Sequence, residues 1–399
     1  MRPAAAASAI LAGVLCFVPF VGALAGPDPT TNALQYLVHQ QAADGSLDHA
    51  LGETEDLILG TAAANFDPNT LVACGGRAAF DFLSASVAKA EADAGSTAKL
   101  ILAVVAGRRD AHAFAGQDLV VHLQSLYNAG SGAYGNGATF GQSLAILALK
   151  ATSQPIPAAA VQQLASLQDS DGSWNYQTAA NSTAGDTNST AVALEALAAA
   201  GVVPSAASVT KALTYLHGQQ DADGGFAYQA GSGVSSDPDS DALVIQGLTA
   251  VGENPTGTAW TKNGKTVFDD LLSRQAADGG FVFPGNKGPD AFTTSEVPAG
   301  LAHAPLPGPV TWTAGAAIPA LSCPAAPSAS PVSTARPTPH PTARPVPTVG
   351  LTLPPTSTIG ALQAGDRSPG SLALVEVLAG LTLVLAAVTI ARQNARRRN

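Results

Sequence analysis

The amino-acid sequence predicts an all-α fold assembled from repeated helical hairpins. A Gln-x-x-Asp-Gly element, followed by Gly or Ser and then by an aromatic residue or Leu, recurs along the chain. On either side of each copy, apolar residues return at the spacing of an α-helix. A fixed element that returns after tens of residues is typical of repeat proteins, in which each repeat is one supersecondary unit. The four copies are residues 40–47, 168–174, 220–226 and 275–281.

The hairpin around Gly172 shows the pattern that the units share. Its first helix carries apolar side chains on one face only, at residues 161–167. Gly172 ends this helix, because it can adopt the positive φ of a sharp turn. The second helix, residues 190–200, is apolar almost all round, which predicts burial on most sides. We therefore expect the first helix of each hairpin on the outside and the second on the inside.

Six such hairpins can be placed along the chain, and they give twelve helices. The predicted first helices are residues 32–41, 76–87, 118–126, 161–167, 209–219 and 267–275. The predicted second helices are residues 53–64, 95–106, 139–151, 190–200, 240–251 and 294–302.

The N-terminus has the composition of a secretory signal. Arg2 gives a positive start, an apolar run covers residues 10–21, and Ala23 and Ala25 form a small-x-small cleavage site. An uncleaved anchor is the alternative, but the apolar run is short for a membrane span. Residues 1–25 are therefore predicted to be a signal peptide.

The C-terminal part predicts a stalk and a membrane anchor. Residues 324–370 are rich in Pro, Ser and Thr and cannot bury enough apolar surface to fold. Residues 371–391 are almost entirely apolar, which is long enough for a bilayer core of about 30 Å. The basic tail, residues 392–399, predicts a cytoplasmic C-terminus. We thus expect a single-pass protein of the cell membrane with residues 26–323 outside.

The predicted ectodomain is acidic. Residues 26–323 hold 27 Asp and Glu but only 11 Lys and Arg. This balance argues against nucleic acid and against an anionic membrane surface as partners. The histidines show no metal-ligand spacing, so the sequence predicts neither a metal site nor a cofactor. An unknown small molecule or a surface protein remains as the expected partner.

Two cysteines remain in the predicted ectodomain once the signal is removed. Cys74 lies in an early hairpin, and Cys323 lies at the end of the domain. An exported pair of cysteines can form a disulfide, which here would tie the end of the domain back to its beginning. Two separate thiols are the alternative.

The recurring element, seen as Gln-Asp-Ala-Asp-Gly-Gly-Phe at residues 220–226, resembles the QW-type repeat of the squalene cyclase and protein prenyltransferase superfamily, the terpenoid cyclases. The resemblance covers about residues 33–302. It implies a closed (α/α)6 toroid of six hairpins, whose second helices line the inside. The N-terminal domain of transcobalamin and intrinsic factor is a similar toroid, and this likeness suggests a small-molecule ligand.

Three carboxylates stand directly before an inner helix, in Asp237-Pro238-Asp239-Ser240-Asp241-Ala242. Class II terpene cyclases carry Asp-x-Asp-Asp-Thr-Ala at the equivalent place, and its middle Asp protonates the substrate. The resemblance implies that Asp239 is the general acid and that Asp237 supports it, whereas Ser240 and Asp241 depart from the pattern. Donation to an alkene needs a carboxylic acid that its neighbours keep protonated.

Two other roles remain open for these carboxylates. Polar residues precede the inner helix of the neighbouring hairpin as well, from Asp186 to Thr190. Such residues can simply cap the helices, and Asp also favours the positive end of the helix dipole. Calcium or another hard cation could bind the cluster instead.

Aromatic side chains follow the turns and could line a ligand rim. Trp174 and Tyr176 belong to one hairpin, and Phe226 and Tyr228 belong to the next. They could instead plug the space between hairpins. Aromatic residues make up only 5% of the chain, which is few for a wall that stabilises carbocations.

The sequence therefore favours a surface-anchored binding or interaction module over an enzyme. The expected binding residues are Asp241, Trp174, Tyr176, Phe226 and Tyr228. A terpene cyclase or prenyltransferase-like enzyme that uses Asp239 as general acid is the alternative, and a structural surface spacer is the third hypothesis.

Overall fold

The computed structural model describes residues 28–176, 185–229 and 235–319. The predicted signal peptide, stalk, membrane span and tail lie outside these ranges and stay predictions. Within the described part of the chain, no helix combines the length and the apolar character that a membrane span needs. Cys74 is disulfide-bonded, and its predicted partner Cys323 lies outside the described residues.

The regular secondary structure of the described residues is helical, apart from one short hairpin of β1 (Tyr127–Asn128) and β2 (Ala133–Tyr134) and several isolated bridges. The α-helices are α1 (Pro29–Gln40), α2 (Leu51–Ala63), α3 (Ala79–Ala85), α4 (Val87–Ala90), α5 (Ala94–Ala106), α6 (Leu119–Ser125), α7 (Thr139–Ala151), α8 (Ala158–Ser166), α9 (Thr187–Ala199), α10 (Ala207–Gln219), α11 (Pro238–Ala250), α12 (Val267–Ser273) and α13 (Ala291–Leu301).

Six helices form a closed inner ring. Helix α2 packs on α5, α5 on α7, α7 on α9, α9 on α11, α11 on α13, and α13 packs back on α2. These are the second helices of the predicted hairpins, and they are buried because their apolar residues cover most of their circumference. The other helices lie outside, and α1 packs on α13, so that the first hairpin closes the ring onto the last.

The structure departs from the predicted twelve helices in the second hairpin. Its outer helix is broken into α3 and α4 at Ser86, whose backbone leaves the helical region with ψ at 3°. The N–H of Ser86 bonds to the carbonyl of Leu83, one residue short of the α-helical partner. The two pieces together occupy the place of one outer helix.

In three of the four copies, the Gln of the repeat fastens its turn to the next hairpin. Gln220 Nε2 donates to the carbonyl of Gly224 in its own turn at 2.8 Å and to that of Trp260 in the next hairpin at 2.9 Å. Gln275 Nε2 donates to the carbonyl of Pro29 at 2.8 Å. Because Pro29 begins α1, this bond ties the last repeat to the first. The repeat element therefore serves the fold.

One end of the ring is covered by the chain that follows α13. Arg108 Nη2 donates to the carbonyls of Val310 and Trp312 at 3.1 and 2.8 Å, and the guanidinium lies 4.0 Å above the Trp312 ring. Trp312 Nε1 donates to the carbonyl of Ala106, the last residue of α5. A cavity of about 230 Å³ lies under this covering segment. The predicted site lies at the opposite end.

Candidate functional site

Four of the six inner helices begin behind an aspartate. These aspartates are Asp93 before α5, Asp186 before α9, Asp237 before α11 and Asp290 before α13. In each case the carboxylate accepts a hydrogen bond from the N–H of the third residue of the helix. Each bond satisfies a free N–H and places negative charge at the positive end of a helix. An outer helix connects successive inner helices, so all six begin at the same end of the ring. We call this end, with its four aspartates, the acidic end.

Asp237 is one of these capping residues. Its Oδ1 accepts from the N–H of Ser240 at 2.9 Å, and its Oδ2 accepts from Ser240 Oγ at 3.0 Å. Burial raises the pKa of Asp237 to about 6, although the Ser240 bonds and Arg274 act in the opposite direction. Capping, one of the roles that the sequence left open, is what the geometry shows for Asp237.

Asp239 has a different environment. Only 7% of the residue is exposed, and its Oδ1 has no hydrogen-bond partner among the described residues. Burial, and then the carboxyls of Glu296, Asp237, Asp290 and Asp56, raise the pKa of Asp239 well above its ordinary value. Such a carboxyl retains its proton at pH values where an exposed Asp has lost it.

Asp241 lies in the core between hairpins. Its Oδ1 accepts from the N–H of Phe226 at 2.7 Å, and Thr190 accepts the equivalent N–H of Trp174 at 3.0 Å in the preceding hairpin. Burial, and then Asp270, raise the pKa of Asp241 well above its ordinary value. The structure thus places this predicted binding residue in a structural position that a Thr fills elsewhere.

The second and sixth positions of an inner helix are four residues apart and therefore share one face. Asp56 bonds to Lys99, and Asp56, Glu296 and Asp239 influence one another across three helices, so we infer that this face is turned to the ring interior. The second positions are Gly52, Gly95, Phe140, Asn188, Asp239 and Phe292. The sixth positions are Asp56, Lys99, Leu144, Val192, Leu243 and Glu296. We call the space that these two levels enclose the funnel.

The funnel is charged on one side and apolar on the other. Lys99 Nζ donates to Asp56 Oδ2 at 2.7 Å, which joins α5 to α2. Glu296 stands on α13, next in the ring, and burial followed by the carboxyl of Asp56 raises the pKa of Glu296 to about 8. Burial alone would lower the pKa of Lys99, but Asp56, Glu55 and Glu296 raise it above its ordinary value. The opposite wall is Leu144, Val192 and Leu243.

The funnel is closed below by the ninth positions of the inner helices. Leu59, Leu102 and Leu147 are buried at this level. The Glu195 carboxyl accepts a hydrogen bond from the N–H of Leu306, in the segment that covers the other end of the ring. Burial raises the pKa of Glu195 to about 8. This level therefore separates the funnel from the segment that covers the other end of the ring.

Two of the predicted rim residues lie beside the funnel. The Tyr176 ring lies 5.7 Å from that of Phe140, centroid to centroid, and Tyr176 is partly exposed. Burial raises the pKa of Tyr176 to about 12. Tyr228 is also partly exposed, and burial followed by the carboxylate of Asp186 raises its pKa strongly. These two side chains lie where a ligand rim was predicted.

The other two predicted rim residues are fully buried. Trp174 is 0% exposed, and its Nε1 donates to the carbonyl of Leu164 at 2.8 Å. Phe226 is also 0% exposed, and its ring lies 6.4 Å from that of Trp260. Trp174 and Phe226 thus act as plugs between hairpins, which was the alternative to a place on the ligand rim.

We therefore expect substitution of a plug residue to lower the free energy of unfolding more than substitution of a rim residue. Trp174→Ala is expected to lower the free energy of unfolding by about 3–5 kcal/mol, because it empties a packed core site. Tyr228→Phe should cost less than about 1.5 kcal/mol, because it removes only one hydroxyl beside Asp186. Urea unfolding of the full-length protein measures both. Equal costs would contradict the distinction between a plug and a rim residue.

Sequence reasoning did not single out Asp56, Lys99 and Glu296. Each of them is a charged residue in a helix that was predicted to line the ring, and Lys99 and Glu296 are the one charged residue of α5 and of α13. That contrast was the available signal, since a charge in a buried helix needs a partner or a functional reason. The sixth-position register could be recognised only once the true start of each helix was known.

No protein-family model and no curated relative matches this sequence. The type II terpene cyclase MstE from Scytonema is a structural neighbour with 14% identity and a TM-score of 0.48, and the match covers 69% of this chain and 96% of that chain.

Two further solved structures resemble this chain with similar identities and TM-scores. For ent-copalyl diphosphate synthase from Streptomyces platensis the identity is 20%, the TM-score is 0.44 and the coverage is 63% of this chain and 49% of that chain. This chain thus spans about half the length of that synthase. For a glycosidase the identity is 15%, the TM-score is 0.43 and the coverage is 69% and 95%. The predicted all-α fold is confirmed by the helices of this chain and by the contacts that close its inner ring.

Proposed function

We propose that the funnel is the active site of a terpene cyclase-like enzyme in which Asp239 is the general acid. The observation that carries the proposal is the Asp239 carboxyl, which is buried, has a free Oδ1 among the described residues and is surrounded by carboxyls that keep it protonated. Proton donation to an alkene requires such an acid next to an apolar wall. Leu144, Val192 and Leu243 supply that wall.

The geometry also accounts for the departures from the Asp-x-Asp-Asp-Thr-Ala pattern. Asp237 and Asp239 match the pattern, and Asp237 orients the start of α11 by capping it. Ser240 lacks the carboxylate of the third position, but Glu296 brings a carboxyl to Asp239 from α13. Asp241 stands where the pattern has Thr, and it binds the same kind of backbone N–H that Thr190 binds. The missing carboxyl is thus replaced from another helix.

The proposed reaction is an isomerisation and needs no oxidant. The O–H bond of Asp239 breaks, and its proton bonds to the less substituted carbon of a terminal alkene. The resulting carbocation is attacked by a second alkene of the same chain, which closes a ring. A proton then leaves the neighbouring carbon to water, and Asp239 recovers a proton from solvent at the acidic end. The rings of Phe140, Phe292 and Tyr176 are the aromatic faces at this level.

Deuterium incorporation tests the proposal directly. The full-length protein is incubated in D₂O with geranylgeraniol, and the products are analysed by mass spectrometry and NMR. We expect an isomer that carries one deuterium at the protonated carbon, because Asp239 exchanges its proton with solvent. If no isomer forms, or if that carbon carries no deuterium, the proposal is wrong.

A binding module without turnover is the second candidate. The excess of carboxyls favours it, since Glu53, Asp56 and Glu296 stand near one ammonium group, that of Lys99, and Asp239 adds a further carboxyl beside Asp56 and Glu296. Such a site would attract an organic cation. The deuterium experiment separates the two candidates, because binding alone forms no isomer. In either case we propose that the predicted signal and span hold the ring at the outer face of the cell membrane.

A further inference from the structure

The charges inside the funnel restrict the head group that a substrate can carry. Glu53 and Asp56 of α2, Asp239 of α11 and Glu296 of α13 all stand at this end of the ring, and each either carries negative charge or would acquire it on losing its proton. A diphosphate brought among them meets like charge and carboxyl oxygens.

Among the twelve described residues that define the funnel, Lys99 is the one cation, and it is already engaged. Lys99 Nζ lies 2.7 Å from Asp56 Oδ2, and its side chain is only 22% exposed. Arg274, which acts on the pKa of Asp237, donates to both oxygens of Asp270 at 2.8 and 3.1 Å and to Ser236 Oγ at 2.7 Å. Neither side chain is free to form the bidentate contacts by which proteins hold phosphate groups.

Most of the inner-helix termini at this end are also engaged. Four of the six, those of α5, α9, α11 and α13, are capped by their own aspartates, whereas α2 and α7 follow Ala50 and Ala138, which have no polar side chain. An anion therefore finds no free terminus in α5, α9, α11 or α13.

A hydroxyl group fits the same surroundings well. It donates to the Asp56 carboxylate and accepts from Lys99 or from a protonated Glu296. Gly52, at the second position of α2, leaves room beside this group, since a Cβ there would meet only Lys99 Nζ, at 3.7 Å. The charged side of the funnel can thus take a small, uncharged polar head, and the apolar side can take a hydrocarbon chain.

We infer that the substrate is an isoprenoid chain with an uncharged hydroxyl head group, an alcohol or a phenol, and that diphosphate esters are excluded by the carboxyls around Lys99. The isoprenoid chain rests on the proposed function. The head-group preference rests on the funnel charges alone, so it can be tested as binding, without turnover.

Direct binding of two chains of equal length tests this inference. Geranylgeraniol and geranylgeranyl diphosphate are titrated into the full-length protein by calorimetry, with and without Mg²⁺. We expect the alcohol to bind at least about tenfold more tightly under both conditions. Equal or tighter binding of the diphosphate, or no binding of either chain, would overturn the inference. Binding of the alcohol without isomerisation would count only against the proposed function.

A pair of variants identifies the residues responsible. Asp56→Asn releases Lys99 from its ion pair and removes one negative charge, so we expect the affinity for the diphosphate to rise about tenfold. Asp278→Asn removes a carboxylate from an exposed turn at the same end and should change neither affinity. An unchanged diphosphate affinity in Asp56→Asn, or an equal gain in Asp278→Asn, would contradict the role given to the Lys99 pair.

Discussion

Replacement of Asp239 by Asn is expected to abolish isomer formation while making the protein more stable. An amide cannot serve as the acid, so turnover should fall by about 10²–10⁴-fold. The same change removes a buried carboxyl whose ionisation is opposed by Glu296, Asp237 and Asp290. The free energy of unfolding should therefore rise by at least about 1 kcal/mol at pH 8. Product analysis and urea unfolding of the full-length variant measure both effects.

The matched control is a second carboxyl of the same helix. Asp241→Thr installs the side chain that Thr190 and Thr294 provide in other hairpins, where each accepts the same backbone N–H. This variant should keep its turnover, because Asp241 lies in the core outside the funnel. If Asp241→Thr lost as much activity as Asp239→Asn, or if Asp239→Asn remained active, Asp239 would not be the acid.

The second large effect is a loss of stability as the pH rises from about 4 to 8. Burial raises the pKa of Asp186 and Asp237 to about 6, and that of Glu195 and Glu296 to about 8. In the unfolded chain these groups titrate near 4. The native state therefore holds protons that the unfolded chain has lost, and the stability present below pH 4 declines through pH 6 for the aspartates and pH 8 for the glutamates.

The size of this decline follows from the linkage of protonation to folding. Each unit of raised pKa corresponds to about 1.4 kcal/mol, so the whole window should span several kcal/mol. Carboxyls with a lowered pKa, such as Asp44 at about 2 through its bond to Ser46, act below pH 4 and leave the window unaffected. Urea unfolding of the full-length protein at pH 4.5, 6 and 8 measures the decline.

Two variants should flatten this pH dependence. Glu195→Gln and Glu296→Gln each remove one group that must ionise at a buried site, so the difference in stability between pH 4.5 and pH 8 should shrink. Glu91→Gln, at the end of the outer helix α4, is the control and should leave the slope unchanged. A wild-type stability that rose from pH 4.5 to pH 8 would show that these carboxyls are ionised and paired in the native state.

The sequence by itself determined the helices, the turns and the side of each helix that is buried. These properties are local, since they depend on apolar spacing and on a Gly that can take positive φ, as Gly172 does at 96°. The predicted starts of two inner helices, residues 190 and 294, were too late. Asp186 caps α9 and Asp290 caps α13, so both helices begin before the Ser and Thr residues that follow these caps. The break at Ser86 had no local signal that we recognised.

Only the tertiary structure decided what the three neighbouring aspartates do. Asp237 caps α11, Asp239 faces the funnel and Asp241 bonds to the core backbone, although all three lie within five residues of sequence. Apart from burial and Asp237, the groups that raise the pKa of Asp239 are Glu296 and Asp290, in α13 and at its cap, and Asp56 in α2. Closure of the ring brings them together, and the pKa of a carboxyl depends on the charges and the burial around it rather than on its neighbours in the chain.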